Sequence, residues 1–139
     1  MRRTMRRARF AVATALALGA SFGVVTLIAL EGREVVVIRT LDAVGTPRET
    51  RTWVADDDGF TWVEAANPDR PFLRDIGGRP DVELRRAGGL QHCHAVALPN
   101  PQGHTRIRRL LAQKYGWADW WIGLLTDTSS SSAVQLSCR

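Results

Sequence analysis

The run from Phe10 to Leu30, FAVATALALGASFGVVTLIAL, contains no charged residue and dominates what this chain can become. At about 1.5 Å rise per residue, a helix over it reaches roughly 30 Å, the thickness of a bilayer's hydrocarbon core. A helix packed into a globular core normally keeps a polar stripe, whereas this one offers only threonine and serine. The run therefore predicts an N-terminal membrane anchor. A cleaved signal peptide is the competing reading, with Leu18-Gly19-Ala20 before Ser21 as a small-residue cleavage site. Apolar character continues to Leu30, further than a signal needs, which favours an anchor that stays. Arg6-Arg7 followed by Arg9-Phe10 is only a loose match to a twin-arginine export signal.

Charge is sorted around this run. Arg2, Arg3, Arg6, Arg7 and Arg9 precede it, and Glu31 and Glu34 follow it, which favours an N-terminus in the cytoplasm and the rest of the chain outside. The formal net charge is +5, from 19 basic and 14 acidic residues, and those five arginines account for all of it. The remaining body is formally neutral. A nucleic-acid surface needs clustered cations on the folded domain, and only Arg106, Arg108 and Arg109 form such a group; no nucleic-acid partner is expected. The chain divides into a basic tail (1–9), a transmembrane signal anchor (10–30) and one domain (31–139). Two cysteines, Cys93 and Cys138, are too few for a disulfide-built scaffold. They can pair outside the cytoplasm or serve as small apolar residues.

After the anchor the pattern becomes that of strands. Residues 35–43 (VVVIRTLDA) open with β-branched residues on both faces, as in a strand buried on both sides. Gly45-Thr46-Pro47 is a turn, residues 48–56 a second strand, Asp57-Asp58-Gly59 a hairpin turn, and residues 60–66 a third strand. Asn67-Pro68-Asp69 leads into a short helix with Asp69 as N-cap and Pro71 in its first turn. Residues 82–86 and 90–98 form a second hairpin about Ala87-Gly88-Gly89. A longer helix starts after Asn100-Pro101 and runs towards Leu124, weakest at Gly116, and residues 133–138 form a last strand. Six strands with two helical crossings predict a closed or nearly closed antiparallel barrel.

No phosphate-binding glycine loop, nucleophile elbow or zinc-type cysteine spacing is present. His92 and His94 share a strand face, with Cys93 directed away from them, and two imidazoles without a third ligand fall short of a metal site. Arg48 and Arg51, beside the Gly45-Thr46-Pro47 turn, can act as a phosphate clamp helped by Thr50, Thr52 and the turn amides, or as an ordinary solvated hairpin. Trp117 and Trp121 share a helical face. They can wall a pocket for a flat ring, lie at the membrane surface beside the anchor, or simply pack.

The segments Val36-Val37-Ile38-Arg39-Thr40 and Gly45-Thr46-Pro47-Arg48-Glu49-Thr50-Arg51-Thr52-Trp53 resemble the deazaflavin-dependent nitroreductase family. Ala65-Ala66-Asn67, the short helix with Arg74, and Lys114-Tyr115-Gly116-Trp117-Ala118-Asp119 extend the likeness, which is to its membrane-anchored nitroreductase or quinone reductase branch. The resemblance implies a mainly β (α+β) fold, a six-stranded antiparallel split β-barrel with two helices, behind one transmembrane helix. It implies hydride transfer from coenzyme F-420 (a deazaflavin) or FMN to a quinone-like or nitroaromatic acceptor. By position it places Arg48, Thr50, Arg51, Trp53, Ala66, Asn67 and Arg74 against the cofactor, and Tyr115, Trp117 and Trp121 around the substrate; it names no catalytic residue. A homodimer is a further expectation. Leu41-Asp42-Ala43 stands where many members carry a basic pair with glycine. The alternative is a membrane-tethered barrel that kept the fold without the cofactor, as a ligand-binding or interaction module.

Overall fold

The computed structural model describes residues 2–139, with side chains described from residue 7 onward. Arg7 and Arg9 of the tail fall within them; Met1 and the side chains of Arg2, Arg3 and Arg6 lie outside. Helix α1 (Arg2–Glu31) is followed by β1 (Val35–Leu41), β2 (Pro47–Asp57), β3 (Phe60–Ala65), α2 (Pro71–Gly78), β4 (Asp81–Arg86), β5 (Gly89–Ala97), α3 (Gln102–Tyr115), α4 (Trp117–Leu125) and β6 (Ser132–Cys138). Residues 7–31 of α1 are long and apolar enough to cross a membrane.

The strands close into an antiparallel barrel in the order β1-β2-β3-β6-β5-β4. Its two tight hairpins owe their geometry to paired left-handed residues, Asp58 with Gly59 and Ala87 with Gly88, the conformation that matches the right-handed twist of the flanking strands. Alternation then sends one set of side chains inward: Val36, Ile38, Val54, Val63, Leu84, Ala95, Val134 and Leu136 form the interior, joined by Phe72 and Ile76 of α2. On β1 the expectation of burial on both faces does not hold. Val36, Ile38 and Thr40 are buried, while Val35 and Val37 are half-buried and Arg39 and Leu41 exposed, because no helix covers that outer face.

A second core lies outside the barrel wall. Ile107, Leu110, Leu111 and Tyr115 of α3 and Ala118 of α4 pack on Ala55, Trp62 and Ala133, and Ala29 at the end of α1 joins them. Tyr115 is the pin of this layer. Its ring stacks on Trp53 with centroids 4.5 Å apart, and its hydroxyl lies 2.7 Å from the Val54 carbonyl and accepts the Val54 amide at 3.1 Å.

The long second helix is in fact two, because Gly116 adopts φ 53° and turns the chain between α3 and α4. Helix α2 begins at Pro71 with Arg70 as N-cap and no side-chain cap. Asp69 instead donates its amide to Asn67 Oδ1 at 3.1 Å, in the turn before the helix. Cys93 and Cys138 face each other across β5 and β6 and form a disulfide.

Candidate functional site

Where α1 ends, β2 passes and α4 crosses, a cavity of about 310 Å³ opens, at the small end of the roughly 300–1,000 Å³ common for ligand pockets. Its walls include Leu30 and Glu31 of α1, residues 50–53 of β2, Glu64 and Ala66 at the end of β3, and Asp119, Ile122 and Gly123 of α4. Arg70, at the α2 N-cap, and Arg108, from α3, supply cations. Of the residues expected at the cofactor, Thr50, Arg51, Trp53 and Ala66 line this space; Arg48, Asn67 and Arg74 do not.

The charges around the cavity are largely matched internally. Arg108 bonds Glu64 at 3.1 Å and grips both carboxylate oxygens of Asp119 at 2.7 and 2.8 Å. Asp119 is buried, and an acid there is tolerable only with such a partner. The Glu64 and Asp119 carboxylates keep the Arg108 guanidinium above its ordinary pKa despite its burial. Arg51 pairs with Glu31 at 2.7 Å in an exposed bridge, which holds little free energy. Arg70 has no charged partner among the described residues.

Arg48 and Arg51 do not form one clamp. They stand three residues apart on β2, so their side chains leave on opposite sides of the strand. Arg48 donates to Asp75 of α2 at 2.9 Å, while Arg51 reaches Glu31 of α1. The turn amides are occupied as well: Asp42 Oδ1 accepts from Val44 and Thr46 at 3.0 and 2.8 Å, and its carbonyl accepts from Gly45 at 3.0 Å. Asp42 thus organises the turn. It also fills the donors that an anion would have used.

The aromatic residues expected around a substrate lie outside this cavity. Tyr115 is buried against Trp53. Trp117 is exposed beneath the Arg33 guanidinium. Trp121 turns to α1, where its indole donates to Thr26 at 3.1 Å. Arg74 is exposed on α2.

The paired histidines sit elsewhere. His92 and His94 are exposed on β5 and line a larger, open groove of about 630 Å³ with Arg39, Asp81 and Glu83. In that groove Arg39 pairs with Glu83 and His94 contacts Asp81, and no Phe, Tyr or Trp is among its lining residues. His104 lies on α3, bonded to Ser131. Among the described residues no group of three His, Cys, Asp or Glu side chains converges as a metal site.

Arg70, Arg108, Asp119, Leu30 and Glu31 were not expected at this site. One of them carried a signal: Asp119 is the sole charge in the apolar stretch of α4, and a lone acid in such a helix demands a cation. The others come from distant elements that only the closed barrel brings together.

No protein-family model matches the sequence, and no curated protein matches it. Solved structures do match the fold. A pyridoxamine 5'-phosphate oxidase-like protein from Listeria innocua superposes with TM-score 0.56 at 13% identity, over 81% of this chain and 90% of that one. The haem storage protein HutZ from Vibrio cholerae gives 0.57 at 12%, over 80% and 85%. An F420-H2-dependent reductase, FDR-A, gives 0.54 at 16%, over 74% and 94%. The chain has the split-barrel fold, with α1 preceding it. Identities this low show shared architecture and leave chemistry to the site.

Proposed function

We propose that this chain is a membrane-held oxidoreductase that uses FMN or coenzyme F-420 to reduce an apolar acceptor of quinone or nitroaromatic type. The observation carrying this reading is the cavity at residues 50–53 and the β3 end, in a barrel of the same fold as an F420-H2-dependent reductase. The residues there fit such a group in part. Trp53, Ala66 and Ile122 offer apolar surface to a flat ring. Arg51 and Arg70 reach an anionic tail, with the Thr50 hydroxyl as a further donor. Arg108 bridges Glu64 and Asp119 and leaves one negative charge between them. Counting Arg51 and Arg70 against Glu31 as well, three cations match three carboxylates and the wall is formally neutral towards an anionic ligand. When bound, the cofactor supplies hydride transfer, and the protein's part is to place ring and acceptor and limit water.

The same reading puts α1 across the membrane once, with the N-terminus in the cytoplasm and the barrel outside. The Cys93–Cys138 disulfide supports that side, because such bonds persist in oxidising compartments.

The test is a titration of the full-length chain in detergent with FMN and with F-420, followed by cofactor fluorescence. Saturable quenching is expected, weakened about tenfold in Arg51→Ala and in Arg70→Ala, the loss of one charge-assisted contact. Arg48→Ala, off the cavity, should change it less. A second reading, a tethered binding module without a redox cofactor, is favoured by one observation: the turn amides and both strand arginines already have partners within the protein. Absence of binding by either cofactor at high micromolar concentration would select it.

A further inference from the structure

Helix α4 carries an apolar stripe that the barrel does not use. Trp117, Trp120 and Leu124 recur at helical spacing and are 47%, 64% and 63% exposed. The opposite face holds Ala118 and Asp119, both buried, with Ile122 packed against the outer core. The one charge of this helix is thus turned inward to Arg108, and the outer stripe is uncharged.

The stripe's position relative to α1 says what covers it. Trp121 packs on Phe22 with centroids 5.3 Å apart and bonds Thr26. Those two residues lie about 12 and 6 Å along the helix from Leu30, the last residue of the apolar run. That range overlaps the roughly 5–10 Å to which interfacial helices bury their apolar faces. Helix α1 itself exposes Phe22, Val24, Leu27 and Ile28, and Phe22 meets α4 at Trp121, the residue next to Trp120. Just past the run, the Arg33 guanidinium sits 5.4 Å from the Trp117 ring. A cation and tryptophans at that height are the pattern of a bilayer's interfacial belt.

We propose that α4 is a second membrane contact, an interfacial helix whose Trp117, Trp120 and Leu124 lie in the headgroup region of the bilayer that α1 crosses. This rests on the reading of α1 as a span. It holds the barrel against the membrane in one orientation, with the cavity's α1–α4 wall facing the lipid.

The test is spin labelling of the full-length, disulfide-intact protein in phosphatidylcholine–phosphatidylglycerol vesicles. Labels are placed singly at Trp120→Cys, Leu124→Cys, Leu16→Cys in α1, and Val44→Cys at the far end of β1. Accessibility to oxygen, which partitions into lipid, is compared with accessibility to a water-soluble nickel chelate. Positions 120 and 124 should favour oxygen over the chelate, as position 16 does, while position 44 favours the chelate. If 16 favours oxygen but 120 and 124 behave like 44, the α4 contact is overturned and the span stands. If 16 also favours the chelate, both fall. Low accessibility to both reagents at 120 and 124, with spin–spin broadening, would assign the stripe to a second copy of the chain and overturn the proposal.

Discussion

Arg48 Nε and the hydroxyl of Thr40 both donate to the same oxygen of Asp75, at 2.9 and 2.7 Å. Asp75 and Thr40 are buried and Arg48 is half in solvent, so one carboxylate ties α2 to both β1 and β2. This contact engages the Arg48 guanidinium within the protein, while that of Arg79 bonds the Ala43 carbonyl in the first turn.

Asp75→Ala leaves the Thr40 hydroxyl buried without its acceptor. The expected loss is about 1–3 kcal/mol, read as a lower midpoint of thermal unfolding in detergent. Thr40→Val in the same background should recover part of it, because the stranded hydroxyl goes too.

Ala87 is one of two non-glycine residues with positive φ among the described residues, at 48° in the β4–β5 hairpin. A side chain with Cβ is strained there by about 1–2 kcal/mol. Ala87→Gly and Ala87→Asn should therefore stabilise, asparagine by at least as much because it restricts the unfolded chain more. Both variants should melt higher than the parent, and a lower midpoint for both would show that the hairpin is not in this conformation.

The disulfide closes a separation of 45 residues and fastens the last strand to β5. Chain-entropy reasoning gives a stabilisation of about 4 kcal/mol as an upper value. The double variant Cys93→Ser, Cys138→Ser should unfold at markedly lower temperature, and adding reductant should lower the parent's midpoint while leaving the variant's unchanged.

Acid should weaken the fold through one arginine. Arg86 bonds Glu34 at 2.6 Å and Asp56 at 2.7 Å, and these hydrogen bonds hold both carboxyls below their ordinary values. A depressed carboxyl contributes stability above its unfolded pKa and loses it as pH falls through the folded one. The contribution is therefore complete above about pH 4.5 and declines in more acidic solution. Arg86→Met should lower the midpoint at pH 7 and flatten its fall between pH 5 and 3, measured by thermal unfolding across that range.

The barrel was legible because short runs rich in β-branched residues are set off by turns, among them Asp58-Gly59 and Ala87-Gly88. The long N-terminal helix was legible because its run of apolar residues is uncharged from Phe10 to Leu30 and long enough to cross a membrane. The break at Gly116 showed only as a weak point, since sequence periodicity cannot tell a tolerated helix glycine from one at φ 53°. Of the residues named at the cofactor, Thr50, Arg51, Trp53 and Ala66 share one cavity because β2 runs beside the end of β3. The clamp of Arg48 with Arg51 was not realised, although the odd spacing already argued against it. Arg70, Arg108 and the α1 terminus stayed hidden because their roles depend on contacts between elements far apart in the chain. Trp117 and Trp121 were read as walls of a pocket, as neighbours of the N-terminal helix or as plain packing, and Trp121 lies against that helix at Phe22 and Thr26.

Only residues 32–34 separate the end of α1 from β1, and Glu34 is fastened there by Arg86 and Lys114. Three residues reach about 10 Å at most, so the barrel has no tether on which to swing. For a membrane-held chain this removes a dimension from its search: collisions with anything dissolved in the lipid would depend on how many molecules share a patch of surface, and dilution of the surrounding water would leave their frequency unchanged.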